Sequence, residues 1–571
     1  MEFVSGVAVV DGRPQVLVTA DYPYYRDDPA VWADRLRAVR DELGISVITS
    51  YVPWRHHQPA PDRPPAFGDV LDYLELCDSL GLTVIAKPGP FVHAELDYGG
   101  LPDWVDPAAD PDIEPLLDVH GEPSRWMGRA LPAPLGPAFL GKVTQWLSAV
   151  GKEIGDRVAG WQIANEGVYT NGALPLTAYD YSPSGLALFR SLYGNENPPS
   201  GPDWGRFHAA YLATVYRTWA DALGTSLPVV VNLNPPTIEE LDDWLARVRP
   251  ASWDGITYGF TNWMGVVSAD PSAQARYVIA AKRAPGPNLE ENWGFATLYD
   301  AAYADGATSF HQSLLALAAG ATGFNVYTGV ATSTWSASLD SVHAPPYPDR
   351  APIGPDGLPT EKAPVVRALA DFFAVHGEEF LACEPARAAA FGLYAPLAAS
   401  GGLGEALLSF HAEMRSLGCD YALVDLETSP ALDGFPVVVV PPGLPEAVRP
   451  SGARELDGAL TLSEICQPTV VVTRGDADAY WRADASVAYL IVLVQDSNTG
   501  PVTVSTPLGD VELVCARGGA AVVRLVNGYL DDVVIKGTNA HLDSYETASI
   551  TFANEHLTAP APADLIVIHT R

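Results

Sequence analysis

The stretch Trp161-Gln162-Ile163-Ala164-Asn165-Glu166-Gly167 decides how this chain reads. An apolar run beginning at Val158 leads into an Asn-Glu pair and then a glycine, which is how a buried barrel strand looks when it ends by presenting a carboxylic acid at the rim. A lone Asn-Glu dipeptide is far more often a surface loop or a helix cap. Its position at the end of a buried strand changes the reading and makes Glu166 one half of a catalytic pair.

Working outward, the first 375 residues or so alternate short β-branched or apolar runs with amphipathic stretches, the pattern of repeated βα units on a parallel sheet. Strands are expected at 15–20, 46–52, 83–88, 158–164, 228–232, 255–259, 288–291 and 323–327. Helices are expected at 30–43, 138–155, 205–223, 238–247 and 310–319, with Asp28 and Thr237 placed as N-caps. Eight such units close into a (β/α)8 TIM barrel, whose active site is built at the C-terminal ends of the strands.

After about residue 385 the texture changes. A helix at 404–417 and strands at 420–424 and 435–441 read as a small α/β domain. From Pro468 the chain is almost all strands separated by turn signals such as Asn498-Thr499-Gly500 and Asn527-Gly528, the signature of a β-sandwich. The expected division is a catalytic barrel over 1–380, the small α/β domain over 381–460 and the β-sandwich over 461–571.

Composition sets the limits. The chain has 571 residues, 48% of them apolar, enough for more than one core. Its net charge of −35 would repel nucleic acid and anionic membrane surfaces, so neither is an expected partner. No stretch approaches the ~18 uninterrupted apolar residues of a membrane span. The N-terminus has no basic region followed by an apolar one, and the five cysteines form no CxxC pair. Buried thiols in a cytoplasmic protein are the expectation.

The strand ends carry the chemistry. Carboxylates and aromatic residues gather at 21–26, 51–59, 87–104, 165–166, 290–293 and 325–327. Glycoside hydrolysis needs one carboxyl group to protonate the leaving oxygen and another to stabilise or attack the anomeric carbon, and Glu166 with Glu290 or Glu291 would provide both. The Asn165 amide suits a hydrogen bond to the sugar 2-hydroxyl. Trp54, Trp104, Trp161, Trp293, Tyr24 and Tyr327 lie near strand ends and could stack on the apolar faces of sugars, or fill the barrel and its helix layer. His56 and His57 lack a metal-ligand spacing, so no metal and no cofactor are expected.

The block KPGPFVHAELDYGGLPDW at 87–104 resembles RPGPYICAEWDFGGLPSW of glycoside hydrolase family 35, the family of β-galactosidases. YVPWRHHQP at 51–59 is similar to its YVPWNLHEP, WQIANEG to its QVENEYG, EENW at 290–293 to its TENW, and GFNVYTG at 323–329 to its eighth-strand segment. The likeness covers roughly residues 8 to 375 in the family's order. It implies that Glu166 is the acid/base and Asn165 its preceding amide, that Ala94 and Glu95 contact hydroxyls of the terminal sugar, and that Tyr24 and Tyr327 are pocket tyrosines. Two alignments compete for the nucleophile: Glu291 keeps the E-N-W triplet and is preferred, whereas Glu290 keeps the spacing to the Gly-aromatic pair. Strand alternation turns only one of them to the pocket.

The chain also departs from the family. Arg55 and Gln58 replace an Asn and a Glu, Lys87 an Arg, and Asp349 a Tyr, so Arg55 and Asp349 are expected to bring new charges near the pocket. The middle region looks more like the flavodoxin-like domain of family 42 β-galactosidases, which implies a dimer or trimer. The combined expectation is a retaining exo-β-glycosidase acting on β-galactosides or similar oligosaccharides, with its two carboxyl groups roughly 5 to 5.5 Å apart. A transglycosylase, a glycosidase for another sugar such as glucose, and a non-catalytic carbohydrate-binding protein are the alternatives.

Overall fold

Eight parallel strands close into a barrel: β1 (Leu17–Asp21), β2 (Val47–Tyr51), β3 (Thr83–Gly89), β4 (Gly160–Ile163), β5 (Val229–Leu233), β6 (Thr257–Asn262), β7 (Asn288–Asn292) and β8 (Gly323–Tyr327). They follow one another around the ring, and β8 returns to pair with β1, Gly323 opposite Leu17. The computed structural model describes residues 1–169, 178–194, 202–237, 241–250, 253, 255–428, 430–458, 460–537, 548–553, 555–558 and 565–569. Every residue of β4, β7 and β8 is buried, as expected for parallel strands covered on both faces.

The surrounding helices are α1 (Trp32–Leu43), α2 (Gly68–Ser79), α3 (Pro137–Ile154), α4 (Pro202–Ala222), α5 (Leu241–Arg247), α6 (Pro271–Arg283), α7 (Gly306–Ala319) and α8 (Ala363–Ala382). Local chemistry sets several of their ends. The Asp270 and Asp305 carboxylates accept the backbone N–H groups of Ser272 and Ala307 at the starts of α6 and α7, satisfying donors that the first turn leaves free. Asp28 caps a single 3-10 turn, Pro29–Val31, that leads into α1. The residues that Thr237 was expected to cap, 238–240, lie outside the described residues.

One strand boundary differs in a way that matters. β6 runs to Asn262, beyond the expected end at 259, and so carries Asn262 and the following Trp263 to the rim.

Behind the barrel, a four-stranded parallel sheet has the order Asp420–Asp425, Arg387–Leu393, Val438–Val440, Arg454–Glu455, with the helix Leu403–Ser416 in the same region of the chain. A six-stranded and a five-stranded antiparallel sheet follow; the former takes its first strand from Glu384–Pro385. The expected Asn527-Gly528 turn joins two adjacent strands with φ of 51° and 80°, the positive values a tight hairpin requires. The helix α7 is buried along its whole length because it lies between the barrel and the six-stranded sheet. The architecture is therefore a TIM barrel, a small α/β domain and a β-sandwich, as the sequence reads. All five cysteines are buried and unpaired.

Candidate active site

The end of β4 is sharply bent. Ala164, Glu166 and Gly167 have φ of 56°, 49° and 81°, a conformation that costs energy for the two residues with a Cβ and holds only when neighbours fix it. Asn232, at the end of β5, does the fixing: its Oδ1 accepts the Glu166 N–H at 2.9 Å and its carbonyl accepts the Gly167 N–H at 2.9 Å. Its Nδ2 donates to Asn165 Oδ1 at 2.9 Å. That same oxygen lies within hydrogen-bond distance of Gln162 Nε2, at 3.3 Å, and of the Tyr51 hydroxyl, at 3.1 Å. With its oxygen occupied, Asn165 keeps its Nδ2 hydrogens for a ligand, since none of the described residues takes them.

The parity of β7 settles which glutamate meets Glu166. Glu290 faces the barrel interior, where the Tyr51 hydroxyl and the Trp263 indole N–H, at 3.4 Å, donate to its two oxygens. Burial first, and then the charge of Glu166, pushes the Glu290 carboxyl up, against the opposing pull of Lys87 and Tyr51.

Glu291, the preferred nucleophile on sequence, points the other way. Its oxygens accept from Asn262 Nδ2 at 2.9 Å, from Asn288 Nδ2 at 2.7 Å and, at 2.6 Å, from the hydroxyl of Tyr277 on α6. That places it in the layer between strand and helix. Burial pushes its carboxyl up to about 8 despite those hydrogen bonds. On this geometry it is Glu290, not the preferred Glu291, that shares the pocket with Glu166.

The floor of the pocket is a buried ion pair. Lys87 Nζ donates to Asp21 Oδ2 at 2.8 Å, and the Thr49 hydroxyl donates to the same oxygen at 2.8 Å. The ammonium sits 4.3 Å from the Tyr51 ring centroid and 5.5 Å from that of Tyr327. Tyr327 lies on the same side, stacked on Phe295 at 5.9 Å and edge-on to Trp263 at 5.8 Å.

The loop after β3 supplies the far wall. His93, Ala94 and Glu95 all have positive φ, and Arg26 pins the loop by donating to the carbonyls of Ala94 and Glu95 at 3.2 and 2.9 Å. Glu95 Oε2 is buried with no hydrogen-bond partner among the described residues, which leaves it free for a ligand hydroxyl. After burial, the Glu95 charge is the main influence pushing up the phenols of Tyr327 and Tyr347, which places all three groups around one space. The double glycine of this block has a steric cause: at Gly99, φ is 62° and a Cβ would lie 1.9 Å from the Phe91 ring.

Several other expected pocket residues belong to the scaffold instead. Tyr24 is fully buried, stacked on Tyr73 at 4.6 Å, with its hydroxyl 2.9 Å from His57 Nε2. Its neighbour Tyr25 is the one that feels Asp21 and Glu95. Trp54 is buried between Trp146, stacked at 5.8 Å, and Trp104, edge-on at 5.3 Å. Trp293 is buried with its indole N–H donating to Ser313 on α7 at 3.3 Å. Trp161 is also fully buried.

The new charges are absorbed by loops. Arg55 pairs with Asp103 at 2.6 Å and donates to the Ser338 carbonyl at 2.6 Å; Asp349 accepts the backbone N–H groups of Ala296 and Thr297, each at 3.1 Å. His56, His57 and Asp69 bring ligand-type atoms within 4.8 Å of one another, but both ring nitrogens of His57 are engaged, by Tyr24 and by the Ala66 carbonyl. Sequence reasoning missed Tyr51, Asn232 and Trp263. Tyr51 opens the quoted YVPWRHHQP block but was not singled out within it, Asn232 closed an expected strand with no motif to mark it, and Trp263 fell past an expected strand end.

Comparison with known proteins agrees with this picture. Residues 8–113 match the family described as Glycosyl hydrolases family 35. A β-galactosidase of Felis catus is 36% identical over 131 residues, covering 21% of this chain and 18% of that protein. β-Galactosidase 8 of Oryza sativa subsp. japonica is 33% identical over 159 residues, covering 25% and 23%. An exo-β-D-glucosaminidase of Thermococcus kodakarensis is 29% identical over 187 residues, covering 30% and 21%. The matched stretch thus spans about a fifth of the length of each of these relatives. Among solved structures, the β-galactosidase of Bacillus circulans sp. alkalophilus superposes with a TM-score of 0.61 at 13% identity, covering 98% of this chain and all of that one. A family 42 β-galactosidase of G. stearothermophilus gives 0.57 at 10% identity, covering 97% of each chain. The first part of the barrel is thus related in sequence to glycosyl hydrolases family 35, and the whole chain has the three-part fold of these β-galactosidase structures.

Proposed function

We propose that the protein is a retaining exo-β-glycosidase acting on terminal β-galactosides. The observation that carries this reading is the pairing of Glu166, at the end of β4, with Glu290, on β7, in one buried pocket whose remaining polar groups suit sugar hydroxyls. In the first step Glu166 protonates the glycosidic oxygen while Glu290 attacks the anomeric carbon, giving a glycosyl-enzyme. Tyr51, whose hydroxyl bonds Glu290, orients the attacking carboxylate. In the second step water, deprotonated by Glu166, releases the sugar with net retention. Asn165 Nδ2 is placed to hold the 2-hydroxyl, and Glu95 to accept from hydroxyls at the closed end of the pocket.

A second reading keeps the machinery and changes the sugar. The relative from Thermococcus kodakarensis acts on an amino sugar, and Glu95, Glu166 and Glu290 together would also favour a cationic ring substituent. Transfer to a second sugar in place of water is a further variant of the same chemistry. Initial rates on aryl β-galactoside, β-glucoside and β-glucosaminide discriminate among the sugars, and proton NMR of the first-formed product reads retention. With Glu166→Gln, turnover of phenyl glycosides is expected to fall by about 10²- to 10⁴-fold while sugar binding persists. Unchanged turnover in that variant, or no activity on any glycoside, rejects the reading. The buried, unpaired cysteines support a reducing, cytoplasmic setting as part of the proposal.

A further inference from the structure

His93 stands beside the proposed acid/base without a part in the steps above. Its Nδ1 lies 3.5 Å from Glu166 Oε2. The backbone delivers it there through three successive residues with positive φ, 53°, 45° and 49° at His93, Ala94 and Glu95. The Leu96 N–H closes the turn on the His93 carbonyl at 2.9 Å. Two aromatic rings fix the imidazole plane: Phe91 parallel to it at 6.5 Å and Trp126 edge-on at 4.9 Å. In the family block quoted above a cysteine occupies this position, so the imidazole belongs to this chain's version of the pocket.

The charged groups that face the ring are the carboxylates of Glu166, Glu95 and Glu290. Glu166 in turn meets Thr261 Oγ1, at 3.4 Å, and the Glu290 carboxyl. Burial works to lower the imidazole pKa, but the hydrogen bond and charge of Glu166, followed by the charges of Glu95 and Glu290, outweigh it and push the group up to about 9.

We propose that His93 is a positioning residue that stores the proton of the Glu166 acid/base. The inference rests on the glycosidase reading of the same site. In the first step the Nδ1–H bond breaks and an O–H bond forms on Glu166, which delivers its proton to the leaving oxygen as the glycosidic bond breaks. The imidazole is left neutral, with its hydrogen on Nε2. In the second step Glu166 takes a proton from the attacking water, and that proton returns to Nδ1. No other reactant is required. The His93 imidazole keeps its proton through neutral pH and loses it only as pH rises through its raised pKa, so the alkaline limit of activity belongs to His93.

The test compares the intact protein with its His93→Gln and His93→Cys variants, measuring kcat/KM against pH on two substrates. Phenyl β-galactoside needs protonation of its leaving group; 2,4-dinitrophenyl β-galactoside does not. For both variants the alkaline limb on the phenyl substrate is expected to move down by at least one pH unit, with a tenfold or greater loss at pH 8, while the dinitrophenyl rate stays within twofold. An unmoved limb, or an equal loss on both substrates, overturns the proposal in favour of a packing role. Glu166→Gln, run in parallel, separates the two ideas. If it leaves phenyl-galactoside turnover intact the glycosidase assignment itself fails, whereas a large loss there with unaffected His93 variants removes only the proton store.

Discussion

Exchanging the two adjacent glutamates of β7 for glutamine, one at a time, tests the parity on which the site is built. In Glu290→Gln, the amide keeps an oxygen for Tyr51 or Trp263, so the pocket should hold its shape, but the group that would form the glycosyl-enzyme is gone. A fall in kcat/KM on the order of 10³ or more is expected, equivalent to at least about 4 kcal/mol of lost transition-state stabilisation. In Glu291→Gln the arithmetic differs. Burial holds the native carboxyl protonated at neutral pH, so glutamine replaces a neutral group of the same shape. The amide oxygen can keep the hydrogen bonds from Tyr277 and Asn288, and the contact with Asn262 is the one at risk, worth about 1 to 3 kcal/mol if a buried donor is left unsatisfied. The cost falls on stability, and activity should remain within roughly tenfold of the parent. The assays are kcat/KM on 2,4-dinitrophenyl β-galactoside, thermal melting of each variant, and trapping of the intermediate with a 2-deoxy-2-fluoro galactoside followed by peptide mass spectrometry. The label is expected on Glu290. A label on Glu291, or a large activity loss in Glu291→Gln with unchanged melting, refutes the geometric argument.

Two other substitutions separate recognition from scaffolding. Asn165→Ala should lower kcat/KM by about 10- to 100-fold, one hydrogen bond to a reacting sugar being worth about 1.5 to 3 kcal/mol when a charged centre develops nearby, and the penalty should vanish on a 2-deoxy substrate. Trp54→Ala should cost about 3 to 5 kcal/mol of stability by opening a cavity between Trp146 and Trp104, with little change in KM for the protein that remains folded; Trp263→Ala should raise KM while leaving the melting temperature near that of the parent.

The barrel was legible because alternation of apolar runs and amphipathic stretches is a property of the whole layer, insensitive to an error of two residues at any strand end. The site was legible only where a residue's position did not depend on such an error. Glu166 and Asn165 follow a run that could end nowhere else. Glu290 and Glu291 differ by one residue, and β7 has shifted register against both neighbours, between Phe260 and Thr261 on one side and between Asn288 and Glu291 on the other. Counting alternation along a strand fails across such irregularities. Tyr24 and Tyr25 were confused for a related reason: a 3-10 turn over Tyr24–Arg26 follows β1, and its twist hands the pocket position to the second tyrosine. Trp54 starts a four-residue helix, Trp54–His57, that swings its ring into the helix layer. Being near a strand end is therefore a weak guide to facing the pocket wherever the chain coils at once.

The surroundings of the two glutamates also explain how like groups can take unlike parts. Each faces a cation, but the cations differ. Glu290 feels the Lys87 ammonium, which is buried under two tyrosine rings and tied to Asp21, so its charge is a fixed feature of the floor. A fixed positive charge favours the ionised form that a nucleophile needs. Glu166 instead faces the partly exposed imidazole of His93, a group that can give up its charge. A neighbour that titrates lets the carboxyl pass between acid and base as the reaction requires, which a permanent cation would oppose by holding it ionised. Exchanging the two environments should disturb both parts of the proposed mechanism: a permanent cation at 93 would hold a positive charge against Glu166 and oppose protonation of the leaving group, and loss of the Lys87 charge would push the Glu290 carboxyl higher still. Strand order places the two glutamates in one pocket, and on the proposed mechanism the kind of cation beside each would set which one attacks and which one carries the proton.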